Sequence, residues 1–420
     1  MNTPATERLP GVVSTRPLPH GWRSVQLSDV CEESIPTRDP RDSPTDTFRY
    51  VDITSVSNVS KRIVSPKTML GKDSPSRARQ VIRTGDVLVS TTRPNLNAVA
   101  LVPTELDGEI ASTGFCVLRA KTGLDPGYLF GFVQMGETVR NLSDLVKGAL
   151  YPAVTDAQVR AQWLPLPELL EQRRIVDVLA AQIAAVERAR AAAEAQLEAA
   201  KALPAAYRRA AFTSAEAQRW ARVRLCDLLL EPLRTGISKP ARPGADKECL
   251  TLSAIRGGFL ELSAKKTVGV TDEEANGTWV RADAFYVVRG NGRLSLVGRG
   301  ALAPRVMPVP VLYPDLLIQV IPDTQAITLG YLRHVWESEE VRADVERRAR
   351  TSAGIFKINQ ANLAEVRVPL PDREEQERVA ARLDRQLAKS DEVRKSAEER
   401  LAAINNVPAA LLRRAFSGEL

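Results

Sequence analysis

Histidine is nearly missing from this chain: His20 and His334 are its only two among 420 residues. A metal site or a triad built on imidazole has almost no material. Four cysteines, Cys31, Cys116, Cys226 and Cys249, stand far apart with no C-x-x-C pair. That spacing argues against a zinc site and a disulfide framework, and fits a reducing compartment such as the cytoplasm. No apolar run approaches the roughly 18 residues that a membrane span needs. Residues 1–17, rich in Pro and Thr, lack the apolar stretch of a signal peptide and read as a loose tail. Phosphate loops are missing too. Gly71-Lys72 lacks the upstream glycine of G-x-x-x-x-G-K-S/T, and Gly290, Gly292, Gly298 and Gly300 are spaced wrongly for G-x-G-x-x-G. The Asn-Pro-Pro-aromatic run of an amino-methyltransferase does not occur. The reading is a protein without catalytic machinery or a cofactor or metal of its own.

What is present is ordinary in bulk and unusual in order. A hydrophobic content of 44% with 26% charged residues suits a soluble protein, and 420 residues leave room for two or three domains. The net charge is +7. Residues 18–164 hold 17 Lys and Arg against 16 Asp and Glu, whereas residues 219–367 hold 22 against 17. The excess is modest and permits nucleic-acid binding without requiring it.

The order is a repeat. Pro165-Leu-Pro167 returns as Pro369-Leu-Pro371, 204 residues later, and Glu171-Gln172 returns as Glu375-Gln376. The frame still holds at Pro204 and Pro408 and at Phe212 and Phe416, with no gap across 48 positions. Upstream, Trp22 to Asp29 resembles Trp220 to Asp227 at an offset of 198, so the stretches between differ in length. The chain therefore divides into a tail (1–17), a mixed domain (18–164), a helical block (165–212), a linker (213–218), a second mixed domain (219–368) and a second helical block (369–420).

The blocks are dense in Ala, Leu, Glu, Arg and Gln, which favour helix. Asp372 and Glu375 have capping-box spacing, and Pro204 and Pro408 are expected to interrupt the helices. One apolar stripe runs through Ile175, Leu179, Ile183 and Leu197, and its copy through Val379, Leu383, Leu387 and Leu401. A long one-sided helix needs a partner, and its own copy, packed antiparallel, is the nearest. In the mixed domains Val87–Ser90, Ala98–Val102, Gly114–Leu118, Phe285–Val288, Leu294–Val297 and Leu316–Ile321 read as strands. Each domain then closes on a helical stretch, from Pro126 to Leu145 and from Leu329 to Arg350. The expected fold is α+β: two pseudo-two-fold-related globular domains separated by a pair of long antiparallel helices.

Two polar loops follow strands. One carries Thr91, Thr92, Arg93, Asn95 and Asn97; the other carries Arg289, Asn291 and Arg293, with Arg299 beyond it. Near the domain ends, the stretch from Lys147 to Tyr151 aligns at offset 204 with the stretch that opens at Thr351 and runs on through Lys357, Asn359 and Gln360. Arg and Asn can read guanine and adenine edges through paired hydrogen bonds, and hydroxyls serve phosphates. For any single residue, a solvated turn explains the pattern as well. The clusters weigh more, because they recur at comparable places in both halves.

Several motifs together resemble the DNA specificity subunit of type I restriction–modification systems. They are the repeated Pro-Leu-Pro-x-x-x-Glu-Gln, Gly85-Asp-Val-Leu-Val-Ser90, Ser112-Thr-Gly-Phe115, Ser352-Ala-Gly354 with Ile358-Asn-Gln360, and the closing Leu412 to Leu420. The resemblance spans the chain after residue 17. It implies two target-recognition domains that each read half of a split double-stranded DNA site, and a coiled coil that measures the spacer. It also implies two methyltransferase subunits docked on the helices, restriction subunits joining that core, and no membrane. S-adenosylmethionine, ATP and Mg would then belong to the partners. Where the first domain has Thr-Thr-Arg-Pro the second has Gly-Asn-Gly-Arg, so the half-sites should differ. Two other readings stay open: a similar reader in another DNA-modification defence system, and a coiled-coil adaptor without a DNA role.

Overall fold

The computed structural model describes residues 18–146, 153–238, 245–352 and 354–420. It has two compact units that do not follow chain order. One joins the described residues up to Glu194 with Glu399–Leu420; the other is Ala195–Glu398. Each long helix, Leu169–Phe212 and Arg373–Phe416, contributes to both.

In the first unit, Thr47–Val51, Lys67–Leu70, Ile110–Ser112 and Ala78–Val81 form a four-stranded sheet. Val87–Ser90 lies between Phe115–Leu118 and Val99–Leu101 in a second, antiparallel sheet. The entering strand Arg23–Gln26 pairs with the leaving strand Trp163–Leu166 and ties the domain shut. The second unit repeats that tie between Ala221–Arg224 and Arg367–Leu370. Its main sheet has six strands, with Phe285–Val288 between Leu317–Val320 and Gly300–Leu302. The chain is thus mixed helix and sheet with two long helices. No helix among the described residues is long and apolar enough to cross a membrane.

The repeated residues do repeated work. Tyr128 Oη donates to the Pro165 carbonyl at 2.7 Å, and Tyr331 Oη to the Pro369 carbonyl at 2.7 Å. Buried Gln172 accepts from the Asp125 N–H at 2.8 Å and donates to the Pro167 and Gly123 carbonyls at 2.9 and 3.0 Å. Gln376 accepts from the Thr328 N–H at 2.8 Å and donates to the Pro371 and Ala326 carbonyls, both at 3.1 Å. One amide in each copy therefore fastens the start of a long helix to its domain. Each is a buried polar group satisfied on both sides, so its loss would strand backbone donors and acceptors.

The helix ends cross over. In the first unit Phe416, from the end of the second long helix, packs on Tyr128 with ring centroids 4.8 Å apart. In the second unit Phe212, from the end of the first, packs on Tyr331 at 6.0 Å. Ile175 and Leu179 share the first core with Leu412 and Phe416, and Val379 and Leu383 share the second with Phe212. These four side chains, expected along a helix–helix seam, are built into the domain cores. Leu197 is nearly buried, and Ile183, Leu387 and Leu401 are half-buried.

Two local expectations are corrected. Pro204 and Pro408 lie inside unbroken helices. A proline removes one helical donor, and the turns beyond are anchored by buried Phe212 and Phe416. Leu294–Leu296 is a 3-10 turn, not a strand, because only Val297 of that stretch is buried and no alternating face exists. The expected closing helical stretches are present, each as two helices: Pro126–Val133 with Gly136–Asp144, and Leu329–Val335 with Glu339–Arg348. Ser338 caps the last by accepting from the Val341 N–H at 3.4 Å. The expected box at Asp372 is present in its forward half: Glu375 N–H donates to Asp372 Oδ1 at 2.9 Å.

Candidate nucleic-acid interface

Both loops are held by the same frame. The Thr91 N–H donates to the Gly114 carbonyl at 3.0 Å, and the Thr91 carbonyl accepts from the Val154 N–H at 2.9 Å. In the second unit the Arg289 N–H donates to the Leu316 carbonyl at 2.7 Å, and the Arg289 carbonyl accepts from the Ile358 N–H at 2.8 Å. The next residue pairs across in each case, Thr92 with Ala153 and Gly290 with Lys357. The counterpart of Arg93 is therefore Asn291.

From that shared start the loops diverge. Arg93 and Asn97 are left-handed, with φ of 51° and 49°, and flank the single turn Pro94–Leu96. Left-handed backbone at non-glycine residues is costly and persists only when neighbours enforce it. Here Lys61, itself left-handed at φ 56°, donates from Nζ to the Asn97 carbonyl at 2.6 Å. Burial pushes the Lys61 amine down to about 8. Asn97 Nδ2 donates to the Gln134 carbonyl at 3.3 Å, while its buried Oδ1 has no partner. The clamp leaves Arg93, Asn95 and Leu96 exposed. Thr91 is turned inward, donating from Oγ1 to the Gly114 carbonyl at 2.9 Å, and Thr92 is half-buried.

In the second unit Gly290–Asn291 joins Ile355–Lys357 and Arg350–Ser352 in a small antiparallel sheet. A Cβ at Gly290 would meet Lys357 Cγ at 3.1 Å, so the close approach favours glycine. Arg293, Lys357 and Arg350 are exposed on this ribbon and its turn. The Arg293 N–H donates to Asn291 Oδ1 at 3.0 Å, which orients that amide. Arg289 is half-buried, with Nη1 3.4 Å from the Asp315 carbonyl.

Other candidate side chains are engaged in the fold. Arg299 donates from Nε to the Ser295 carbonyl at 3.0 Å and pairs with Glu337. Asn359 caps the helix Gln360–Ala364, accepting from the Asn362 N–H at 2.7 Å. Gln360 donates to the Leu233 carbonyl at 2.7 Å. Lys147 and Tyr151 lie outside the described residues. Sequence reasoning missed Lys61 and Arg350. Nothing in the Ser60-Lys61 turn marks a left-handed lysine; Arg350 carried a signal, since it borders the Thr351 stretch already aligned with the first domain. No cluster of metal-ligating side chains occurs among the described residues.

The Type I restriction modification DNA specificity domain family model matches residues 19–198. The EcoKI specificity subunit of Escherichia coli K12 is 25% identical over 74% of this chain and 69% of its own. The StySPI specificity subunit of Salmonella potsdam is 22% identical over 96% of this chain and 90% of its own. A chain solved in work on complex assembly and conformational transition of the type I R-M system superposes with a TM-score of 0.80 and 30% identity, over 96% of this chain and all of that one. The HsdS subunit of Thermoanaerobacter tengcongensis superposes at 0.65 with 28% identity, over 97% of this chain and 99% of its own. With its paired polar loops and its twice-used helix anchors, this chain belongs to the DNA specificity subunits of type I restriction–modification systems.

Proposed function

We propose that the two units read the two halves of a split double-stranded DNA site, that the halves differ, and that the helical segments fix the spacer between them. The observation that carries this reading is the shared frame with unlike contents. Identical backbone hydrogen bonds present Arg93 and Asn95 in one unit, and Asn291, Arg293 and Lys357 in the other. Arg suits guanine and Asn adenine, while Lys serves phosphate. Catalysis is left to partners: two methyltransferase subunits on the helices, joined by restriction subunits. Those partners hold S-adenosylmethionine, ATP and Mg. The assembly works in the cytoplasm, where four free thiols suit a reducing medium.

The test is co-expression with a partner methyltransferase, followed by single-molecule sequencing of methylated adenines. A split motif with a constant spacer is the expected result. A continuous motif, or no methylation from a stable complex with an active methyltransferase, overturns the reading.

A further inference from the structure

In the second unit a cavity of about 310 Å³ opens beside the first long helix, lined by Lys201, Arg208, Gly257, Arg333, Asp391 and Arg394 among others, with the Asp391 carboxylate held by Arg394 at 2.5 Å. It is far roomier than the ~10–15 Å³ that one enclosed water needs. Three of its four cations are matched. Lys201 Nζ lies 2.8 Å from Glu198, Arg394 Nη1 lies 2.7 Å from Glu398, and Arg333 pairs with Asp384. Arg208 is not: its Nε is buried without a hydrogen-bond partner. Burial lowers its pKa, and Arg333 and Arg299 nearby add to the effect against the pull of Glu337.

The first unit shows what the fold needs at this place. Counting back from Phe416 and Phe212, Leu412 is the counterpart of Arg208. Leu412 is 5% exposed in an apolar core, and Phe130 packs against that core. Aligned through Tyr128 and Tyr331, Phe130 corresponds to Arg333 and Gly131 to His334; at the helix offset Ala180 corresponds to Asp384. An apolar patch in one copy has become a charged one in the other. Most of the new groups satisfy each other: His334 Nε2 lies 2.8 Å from Asp384 Oδ1, and Arg333 pairs with the same carboxylate. Arg208 is left over, and it faces a cavity. The fold closes with leucine here, so the guanidinium is not a packing requirement. A planar guanidinium with a free donor matches the oxygens of a carboxylate or a phosphate.

We propose that this cavity binds an oxyanion, with Arg208 as its principal donor and Arg333 and Lys201 at its rim. The oxyanion is either free in solution or the acidic side chain of a partner subunit, and the same experiment separates the two. The full chain is titrated with inorganic phosphate at constant ionic strength while thermal unfolding is followed. The variant Arg208→Leu, which installs the residue of the other copy, is compared, with Arg208→Gln as a second variant should the leucine chain fail to fold. Binding of the methyltransferase partner is measured on the same samples.

A free-anion site gives a saturable rise in Tm that the variant loses, with partner affinity unchanged. A partner carboxylate gives partner binding that weakens roughly thirty-fold or more in the variant, the size expected when one partner of a buried charge pair is removed, and that phosphate competes away. A variant that keeps both the phosphate response and the partner affinity of the original chain overturns the proposal. So does an original chain with no phosphate response whose partner binding is unaffected by the substitution.

Discussion

In the first unit the strand Val87–Ser90 runs into a loop clamped by two left-handed residues, Arg93 and Asn97, and by Lys61 from a neighbouring turn. In the second, the matching strand Phe285–Val288 runs into Gly290–Asn291, which is stitched into a three-stranded ribbon. The hydrogen bonds at the root of both loops are the same. Below them, the Tyr-to-Pro and Gln-to-backbone anchors are the same as well. Conserving the root while changing the tip lets one scaffold hold two readers. The tips are also held by different means, one by left-handed backbone fastened by Lys61 and one by strand pairing.

The comparison breaks first at the anchors, if they are not equivalent. Phe416→Ala and Phe212→Ala should each cost roughly 3–5 kcal/mol, the usual loss for a buried aromatic. Denaturant unfolding of the two variants should show similar losses, and a large loss in only one would mean that the copies close differently.

A second difference should appear with pH. Burial, aided by Arg333 and opposed by Asp384, holds His334 down at about 4, against an ordinary 6.5. The unfolded chain takes up a proton near 6.5 and the folded chain only near 4. The second unit therefore keeps its full stability above that range and loses about 3 kcal/mol as pH falls through it. The first unit has Gly131 at this position and no such group. His334→Asn should flatten the acid limb in unfolding curves; an unchanged slope would contradict the assignment.

Smaller effects follow. Gln172→Ala and Gln376→Ala should each cost about 1–3 kcal/mol, because each strands buried backbone groups. Thermal unfolding should give matching values, and unequal ones would show that one fastening matters less. Lys61→Met removes the donor that holds the Asn97 carbonyl. It should loosen reading by the first unit while leaving the second half-site intact, as seen in the methylated motif.

Much of this organisation was legible because equal residues do equal jobs. Pro165-Leu-Pro167 and Gln172 are readable since a carbonyl and an amide at fixed spacing recur with the strand tie and the helix start. The strand ends before the loops were readable from their β-branched runs. What lay hidden has physical reasons. A left-handed arginine or lysine leaves no mark in residue type, so the clamp around Asn97 was invisible. The fate of Ile175 and Val379 depended on Phe416 and Phe212 crossing over, a long-range event that periodicity does not encode. Pro204 looks like a helix end by its chemistry, but the buried aromatic beyond it decides otherwise. The sequence set Gly-Asn-Gly-Arg against Thr-Thr-Arg-Pro without residue pairing, and only the hydrogen-bond frame assigns the place of Arg93 to Asn291.

The most direct measurement is adenine-methylation sequencing with Arg93→Ala and Asn291→Ala chains, each co-expressed with the methyltransferase partner. Each variant should relax one half of the motif and leave the other intact, with about 1–3 kcal/mol of lost discrimination at the affected position. Relaxation of the same half by both variants, or of neither half by either, would contradict two units reading two different half-sites.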